Sequence, residues 1–154
     1  MRRFSLLVAL AFFACVPNAM ALIQIDRGIA GARLGASPAQ VRAALGKPTK
    51  VNSGRNEFGP WQRYTFAGGI GVFFQGRKEV TSVQTTGLGD RTAKGVGVGS
   101  TQDEVVKNVP RVKCETVETS LTCHTRDLLP GQRVTDFRIE DGKVVRVTVG
   151  IVID

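Results

Sequence analysis

The chain has 154 residues, a formal net charge of +8 and 42% hydrophobic residues. After residue 21 no stretch reaches the run of about 18 apolar residues that a membrane-spanning helix needs, which argues against a chain that crosses a membrane with helices. A single histidine and the lack of a Cys-x-x-Cys pair argue against a metal site and a redox dithiol. We therefore expect no metal and no cofactor.

The N-terminus has the composition of a secretory signal peptide over residues 1–21. Arg2 and Arg3 precede an apolar run at 6–16, and small residues follow up to Ala21. We therefore expect cleavage near Ala21 and an exported protein, periplasmic or secreted, whose mature chain forms one domain. The alternative is a lipoprotein leader in which Cys15 is acylated, and only then would the chain be held at a membrane.

The positive charge is unevenly distributed along the mature chain. Residues 22–89 contain nine basic and three acidic residues, whereas residues 90–154 contain ten of each. The first half therefore favours an anionic partner, although a merely solubilising surface would have the same composition. Export argues against a nucleic-acid partner.

Two pairs of segments match each other at the same offset of 64 residues. "GARLGASPAQVRAAL", which starts at Gly31, resembles "GVGVGSTQDEVVKNV", which starts at Gly95. Farther along, "KEVTSVQT" resembles "GKVVRVTV". Two separate matches without a gap predict a duplication, with repeats over 22–90 and 91–154.

Each repeat begins with a capped helix. Ser37 is the N-cap of the first helix and Gln40 completes its capping box, while Thr101 and Glu104 occupy the same positions in the second. Gly46 suits the left-handed residue that ends the first helix. Helices this short are not stable alone, so they must pack on other structure.

That structure is predicted to be a sheet, because the remaining sequence is rich in β-branched and aromatic residues broken by turn residues. The predicted strands cover 61–66, 71–75 and 80–86 in the first repeat and 112–117, 121–126, 133–140 and 144–153 in the second, with "EDGK" as the last turn. In the last strand, alternation places Val145, Val147 and Val149 on one face and Val144 and Arg146 on the other.

The sequence thus predicts an α+β fold. Two tandem repeats, each a short helix followed by antiparallel strands, would form one antiparallel sheet with the helices on one face. The opposite face would be open to a partner.

Cys114 and Cys123 are predicted to form a disulfide. In a hairpin with a two-residue loop at 118–119, these residues lie directly opposite each other, close enough for a bridge. Export places them where disulfides persist.

Aromatic residues mark a candidate binding surface. Alternation places Trp61 and Arg63 on one face and Tyr64 on the other, and the adjacent Phe73 and Phe74 also point to opposite faces. At least one large aromatic should therefore lie on the open face, unless loops cover it. Because aromatic and Arg side chains together are typical of binding hot spots, the candidate partner-binding residues are Trp61, Arg63, Tyr64, Phe73, Phe74, Arg77 and Lys78.

A glycine-led, Ser/Thr-capped helix ending in "LGKP", followed by the aromatic strand "WQRYTF" and a hairpin, resembles the repeat of the β-lactamase inhibitor protein. It also resembles the outer-membrane-assembly lipoproteins of the SmpA/OmlA type. The segment "KCETVETSLTCHT" is similar to the disulfide hairpin of the former. The resemblance implies a non-enzymatic module that binds a protein partner through the open sheet face and hairpin loops. The alternative that it implies is an envelope assembly factor near the outer membrane.

Two further interpretations stay open at this stage. His124 is the only histidine, and Ser120 and Asp127 lie near it in sequence. These three residue types allow the hypothesis of a hydrolase with a catalytic triad. The glycine-rich 95–100 segment precedes a helix and has the composition of a weak anion-binding loop.

Overall fold

The computed structural model describes residues 23–153. The predicted signal peptide, its cleavage near Ala21 and the acylation of Cys15 lie outside this range. The strands are β1 (Ile23–Gln24), β2 (Gly28–Ile29), β3 (Ala32–Arg33), β4 (Lys50–Asn56), β5 (Gly59–Thr65), β6 (Ile70–Gln75), β7 (Ser82–Thr85), β8 (Lys113–Val117), β9 (Ser120–His124), β10 (Arg133–Glu140) and β11 (Lys143–Ile151). The helices are α1 (Pro38–Leu45) and α2 (Gln102–Asn108), and a single 3-10 turn covers Ala67–Gly69.

Eight of these strands form one antiparallel sheet, in the order β4-β5-β6-β7-β11-β10-β9-β8. Consecutive strands pair through hairpins, and β7 pairs with β11 to join the two halves of the sheet. β4 and β8 are therefore the two edges. The remaining strands, β1 to β3, form a separate three-stranded sheet.

The predicted α+β class with two tandem helix-plus-sheet repeats is wrong. Strands dominate the described residues, whereas α1 and α2 have only 8 and 7 residues. A second sheet precedes α1, and the strand β4 lies in a segment that the sequence pattern left without a strand. The helices are not equivalent members of two units either, because α1 contacts β3 of the small sheet while α2 contacts β9 of the large one.

The helix boundaries follow the capping residues, as predicted. The Ser37 hydroxyl accepts a hydrogen bond from the backbone N–H of Gln40, and the Gln40 side chain accepts one from the backbone N–H of Ser37. Thr101 and Glu104 make the same reciprocal pair at α2. Gly46 ends α1 with a φ of 80°, a conformation that favours glycine.

The core lies between one face of the large sheet and a layer made by the small sheet and the two helices. Val41 and Val105 are the fully buried residues through which α1 and α2 join this core. Their burial contributes about 1.5–3 kcal/mol each relative to exposed side chains. Arg42 adds a polar tie from α1, because its guanidinium donates a hydrogen bond of 2.8 Å to the Tyr64 hydroxyl. Both helices therefore cover the same face of the large sheet.

A bulge in β11 changes which of its residues face the core. Arg138 pairs with Arg146, but the next residue of β10, Ile139, pairs with Val144, so Val145 is the extra residue. Val144 is consequently buried, whereas Val145 is only half-buried. The strict alternation predicted for this strand holds from Arg146 onward and fails before it.

The predicted disulfide is confirmed. Cys114 in β8 is directly opposite Cys123 in β9, and the two form a bridge across a hairpin whose loop is Glu118 and Thr119. The disulfide fastens β8, an edge strand with mostly exposed or half-exposed residues, to the body of the sheet. A bridge of this kind is typical of an exported protein.

Candidate functional site

The open face of the large sheet has an aromatic pair in its first half. Trp61 of β5 stacks on Phe73 of β6, with ring centroids 5.8 Å apart and an interplanar angle of 28°. Arg63 is directly opposite Phe73 across the two strands. All three side chains are half-buried, and they point away from the face on which the helices and the small sheet lie. We call these three residues the aromatic platform.

Two glycines allow the aromatic platform to lie close to the sheet. A Cβ atom at Gly54 of β4 would be 2.6 Å from Cζ2 of Trp61, so the indole ring occupies the space above this glycine. A Cβ atom at Gly71 would be 3.4 Å from an Arg63 guanidinium nitrogen and 3.1 Å from Gln84 Cγ. Glycine inside a strand commonly marks such a close approach. This signal in the sequence could have assigned Gly54 and Gly71 to the site.

A shallow cavity lies beside the aromatic platform. Its volume is about 160 Å³, and it is lined by Arg63, Gly71, Phe73, Ser82 and Gln84. Its walls therefore combine one aromatic ring, one cation and neutral hydrogen-bonding groups. Such a cavity suits a small polar or acidic side chain better than a large apolar one.

The structure brings only some of the predicted partner-binding residues together. Tyr64 and Phe74 are buried in the core on the opposite face, with ring centroids 4.9 Å apart, and are out of reach of a partner. Arg77 and Lys78 are exposed in the turn after β6, beyond the end of the strand that holds Phe73. Of the seven predicted partner-binding residues, the candidate site keeps Trp61, Arg63 and Phe73.

In the second half, the same sheet face has a buried polar cluster. His124 is only 2% exposed. Its Nδ1 is 2.6 Å from the Arg126 carbonyl oxygen, and its Nε2 is 3.0 Å from Glu115 Oε1, although the angle of the second contact is not that of a hydrogen bond. Asp136 is directly opposite His124 in β10. Burial raises the pKa of Asp136 to about 6, an effect that the nearby His124 opposes and Asp26 reinforces.

The structure does not assemble the hypothetical catalytic triad of Ser120, His124 and Asp127. The Asp127 carboxylate is bound to Lys113 at 2.8 Å, and this pairing lowers the pKa of Asp127 and raises that of Lys113. His124 is instead in contact with Arg126 and Glu115. As expected from strand alternation, the histidine ring is on the face opposite the disulfide.

The glycine-rich segment at 95–100 has a structural explanation. A Cβ atom at Gly97 would be 2.0 Å from the Asp90 carbonyl oxygen, so glycine is needed where these two backbone segments meet. The Gly97 N–H donates to the Ser100 hydroxyl, and Arg91 donates to the Val98 carbonyl. Several polar groups of this segment are therefore already bound within the chain.

Within residues 23–153, no group of three or more His, Cys, Asp or Glu side chains is placed to hold a metal ion. None of the helices in the described part of the chain is long and apolar enough to cross a membrane.

Fold and site together define a predominantly β protein with one covered and one open face of its main sheet. No protein-family model matches the chain, and a search of curated proteins finds no match either. Solved structures do resemble its fold.

An extracellular protein with an SCP domain from Bacillus anthracis is 11% identical, with a TM-score of 0.50, over 77% of this chain and 44% of that one. A cysteine-rich secretory protein from Staphylococcus aureus is 15% identical, with a TM-score of 0.49 and the same coverage. A DUF4309 family protein from Bacillus subtilis is 19% identical, with a TM-score of 0.48, over 75% of this chain and 78% of that one.

At these identities the likeness concerns the fold alone. The chain spans 44% of the length of the first two structures. None of the three is a β-lactamase inhibitor protein or an SmpA/OmlA lipoprotein, so that resemblance stays a prediction.

Proposed function

We propose that this chain is an exported binding module that recognises an acidic segment of a protein partner through the aromatic platform. The observation that carries the proposal is the Trp61–Phe73 stack beside Arg63, on the sheet face opposite the helices. Export, to the periplasm or the extracellular space after cleavage near Ala21, fits both the leader composition and the disulfide.

The charge of the surrounding strands supports an acidic partner. β4 to β7 contain no Asp or Glu, whereas they contain Lys50, Arg55 and Arg63. No carboxylate of the described residues lies within ion-pair distance of Arg63, in contrast to Arg126 and Arg138, which have acidic partners. A carboxylate of a partner would therefore meet a guanidinium that is free to pair with it.

The geometry also supports binding of a protein rather than a reaction. Trp61 and Phe73 offer rigid apolar surface at low entropic cost, because each ring is held by the other and the indole lies on Gly54. Arg, Trp and Tyr dominate the binding energy of protein interfaces, and such residues act from the centre of a patch. The small cavity between Arg63 and Gln84 would take one side chain of the partner.

The test begins with covalent crosslinking of the mature protein to an extract of the compartment to which it is exported. The captured proteins are then identified. Each candidate is then purified and its dissociation constant measured from the fluorescence of Trp61, the only tryptophan of the chain. Arg63→Glu should weaken binding at least about tenfold, because a charge-assisted hydrogen bond becomes a repulsion.

Arg55→Glu is the matched control. Arg55 is exposed on the neighbouring strand β4 but points to the other face, since its neighbour Gly54 is the residue beneath Trp61. Both variants change the net charge equally. If Arg55→Glu weakens binding as much as Arg63→Glu, or if Phe73→Ala leaves the dissociation constant unchanged, then the aromatic platform is not the binding site.

A further inference from the structure

A cleft lined by arginines lies between the N-terminal turn of the described chain and the segments around β8, β9 and β10. It has a volume of about 740 Å³, and four arginines contribute to its walls: Arg27, Arg111, Arg126 and Arg133. A second cavity of about 520 Å³ shares Arg111 and Arg126 with it and adds Lys113. We call this pair of cavities the arginine cleft. It is separate from the aromatic platform and shares no residue with it.

Cations outnumber carboxylates in the arginine cleft. The lining residues of both cavities include five cations and two carboxylates, Asp26 and Asp127, which leaves a balance of +3. Asp26 is 2.8 Å from Arg126 and Asp127 is 2.8 Å from Lys113. Among the described residues, no carboxylate lies within ion-pair distance of the three remaining cations, which are Arg27, Arg111 and Arg133.

One wall of the arginine cleft is held by a hydrogen-bonded junction. The Asp26 carboxylate accepts hydrogen bonds from the hydroxyls of Thr125 and Thr135, at 2.6 and 3.0 Å, as well as from Arg126. The Asp26 backbone N–H also donates to the Thr135 hydroxyl. The two hydroxyls hold the Asp26 carboxylate in place, and the carboxylate in turn orients the Arg126 side chain. The wall is thus formed without a ligand, which reduces the entropic cost of binding one.

We propose that the arginine cleft binds a small molecule with two or more clustered oxyanion groups, either phosphates or carboxylates. The volume of each of its two cavities, about 740 and 520 Å³, is in the range of small-molecule sites, about 300–1,000 Å³. Guanidinium groups present planar forks of donors that match both phosphate and carboxylate oxygens. Three cations without a carboxylate partner would pair with more than one such group, so a multiply charged ligand fits better than a single anion.

Isothermal titration calorimetry of the exported protein tests this site, with tripolyphosphate in one arm and citrate in the other. We expect saturable binding of one ligand per chain in at least one arm, and binding should weaken as salt is added. The double variant R111Q/R133Q should bind at least about tenfold more weakly, because two charge-assisted contacts are lost. Both side chains are exposed, so folding should persist, and circular dichroism verifies this.

The double variant K50Q/R55Q is the control, since it removes the same charge from the exposed edge strand β4 at the other edge of the sheet. Binding of tripolyphosphate alone would assign the cleft to phosphates, and binding of citrate alone to carboxylates. The proposal is overturned if neither ligand shows saturable binding, or if K50Q/R55Q loses as much affinity as R111Q/R133Q.

Discussion

Asp136 is expected to make the protein less stable at neutral pH than at low pH. Its carboxyl group lies on β10 opposite the buried His124, and its Oδ1 has no hydrogen-bond partner within residues 23–153. Burial disfavours the ionised form and raises the pKa of Asp136 from its ordinary value of 3.8 to about 6. The folded state therefore holds the proton more tightly than the unfolded chain does.

The sign and size of the effect follow from this difference in pKa. Below pH 3.8 the carboxyl is protonated in both states, and between about pH 4 and 6 only the folded state keeps the proton, so stability falls as pH rises through this window. A difference of one in pKa corresponds to about 1.4 kcal/mol. The free energy of unfolding should therefore decrease by about 3 kcal/mol from this residue alone.

Asp136→Asn tests the reasoning, because the amide has the same shape and no charge to desolvate. Urea unfolding of both proteins between pH 3.5 and about 7.5 gives the difference in their free energies of unfolding, in which the other titrating groups cancel. We expect the variant to gain stability relative to the wild type as pH rises, by about 3 kcal/mol across the range.

Asp127→Asn is the control, since the pairing with Lys113 lowers the pKa of Asp127. Its difference from the wild type should change with pH in the opposite direction. A flat difference for Asp136→Asn, or one that falls with pH, would refute the assignment of a buried, poorly solvated carboxyl at this position.

Two further predictions concern the disulfide and the aromatic platform. Replacing Cys114 and Cys123 by Ser should lower the free energy of unfolding by about 2.5 kcal/mol, measured by urea unfolding, since a loop of about ten residues is no longer closed; an unchanged midpoint would show that the bridge does not constrain the unfolded chain. Gly54→Ala should displace the Trp61 ring and make its fluorescence more accessible to acrylamide, because the added methyl group overlaps the indole. Gly89→Ala, where an added Cβ meets nothing within 4 Å, should leave the quenching unchanged; equal quenching in both variants would contradict this account of Trp61.

Features set by a few neighbouring residues could be predicted from the sequence. The capping boxes at Ser37 and Thr101 depend on residues three positions apart. The turn between β10 and β11 depends on Asp141 and Gly142 alone, which both have positive φ, as "EDGK" indicated. The pairing of Cys114 with Cys123 required only the length of one hairpin loop. In each case the determining contacts are local in sequence.

The missed strands lack a local signal. β4 has the sequence KVNSGRN, in which Asn, Ser and Gly are poor strand formers. All of its residues except Val51 and Gly54 are polar or charged. It is a strand because β5 supplies its hydrogen bonds over seven residue pairs. The strands of the small sheet have two residues each, too few to show a period. Pairing with a neighbour, rather than propensity, sets these elements.

The two candidate sites also differ in how far apart their residues lie in the sequence. Trp61 and Arg63 could be assigned to one face because strand alternation is a local rule. The four arginines of the arginine cleft lie at positions 27, 111, 126 and 133, so no short sequence window contains all of them. The chain brings them together where Asp26 binds Thr125, directly after β9, and Thr135 of β10, which are contacts across about a hundred residues.

The two halves of the open sheet face differ in charge, so the aromatic platform and the polar cluster around His124 should not bind the same ligand. In the second half, the strands place carboxylates on this face: Glu115 is 3.0 Å from His124, Glu140 is 3.0 Å from Arg138, and Asp136 lies opposite His124. In the first half, no carboxylate of residues 23–153 lies within ion-pair distance of Arg63, and β4 to β7 contain no Asp or Glu. An acidic ligand that approaches this face therefore meets carboxylates of the strands only in the second half. Because opposite potentials also steer encounter, the first half of the sheet should be the part that meets an acidic partner, and added salt should slow that association.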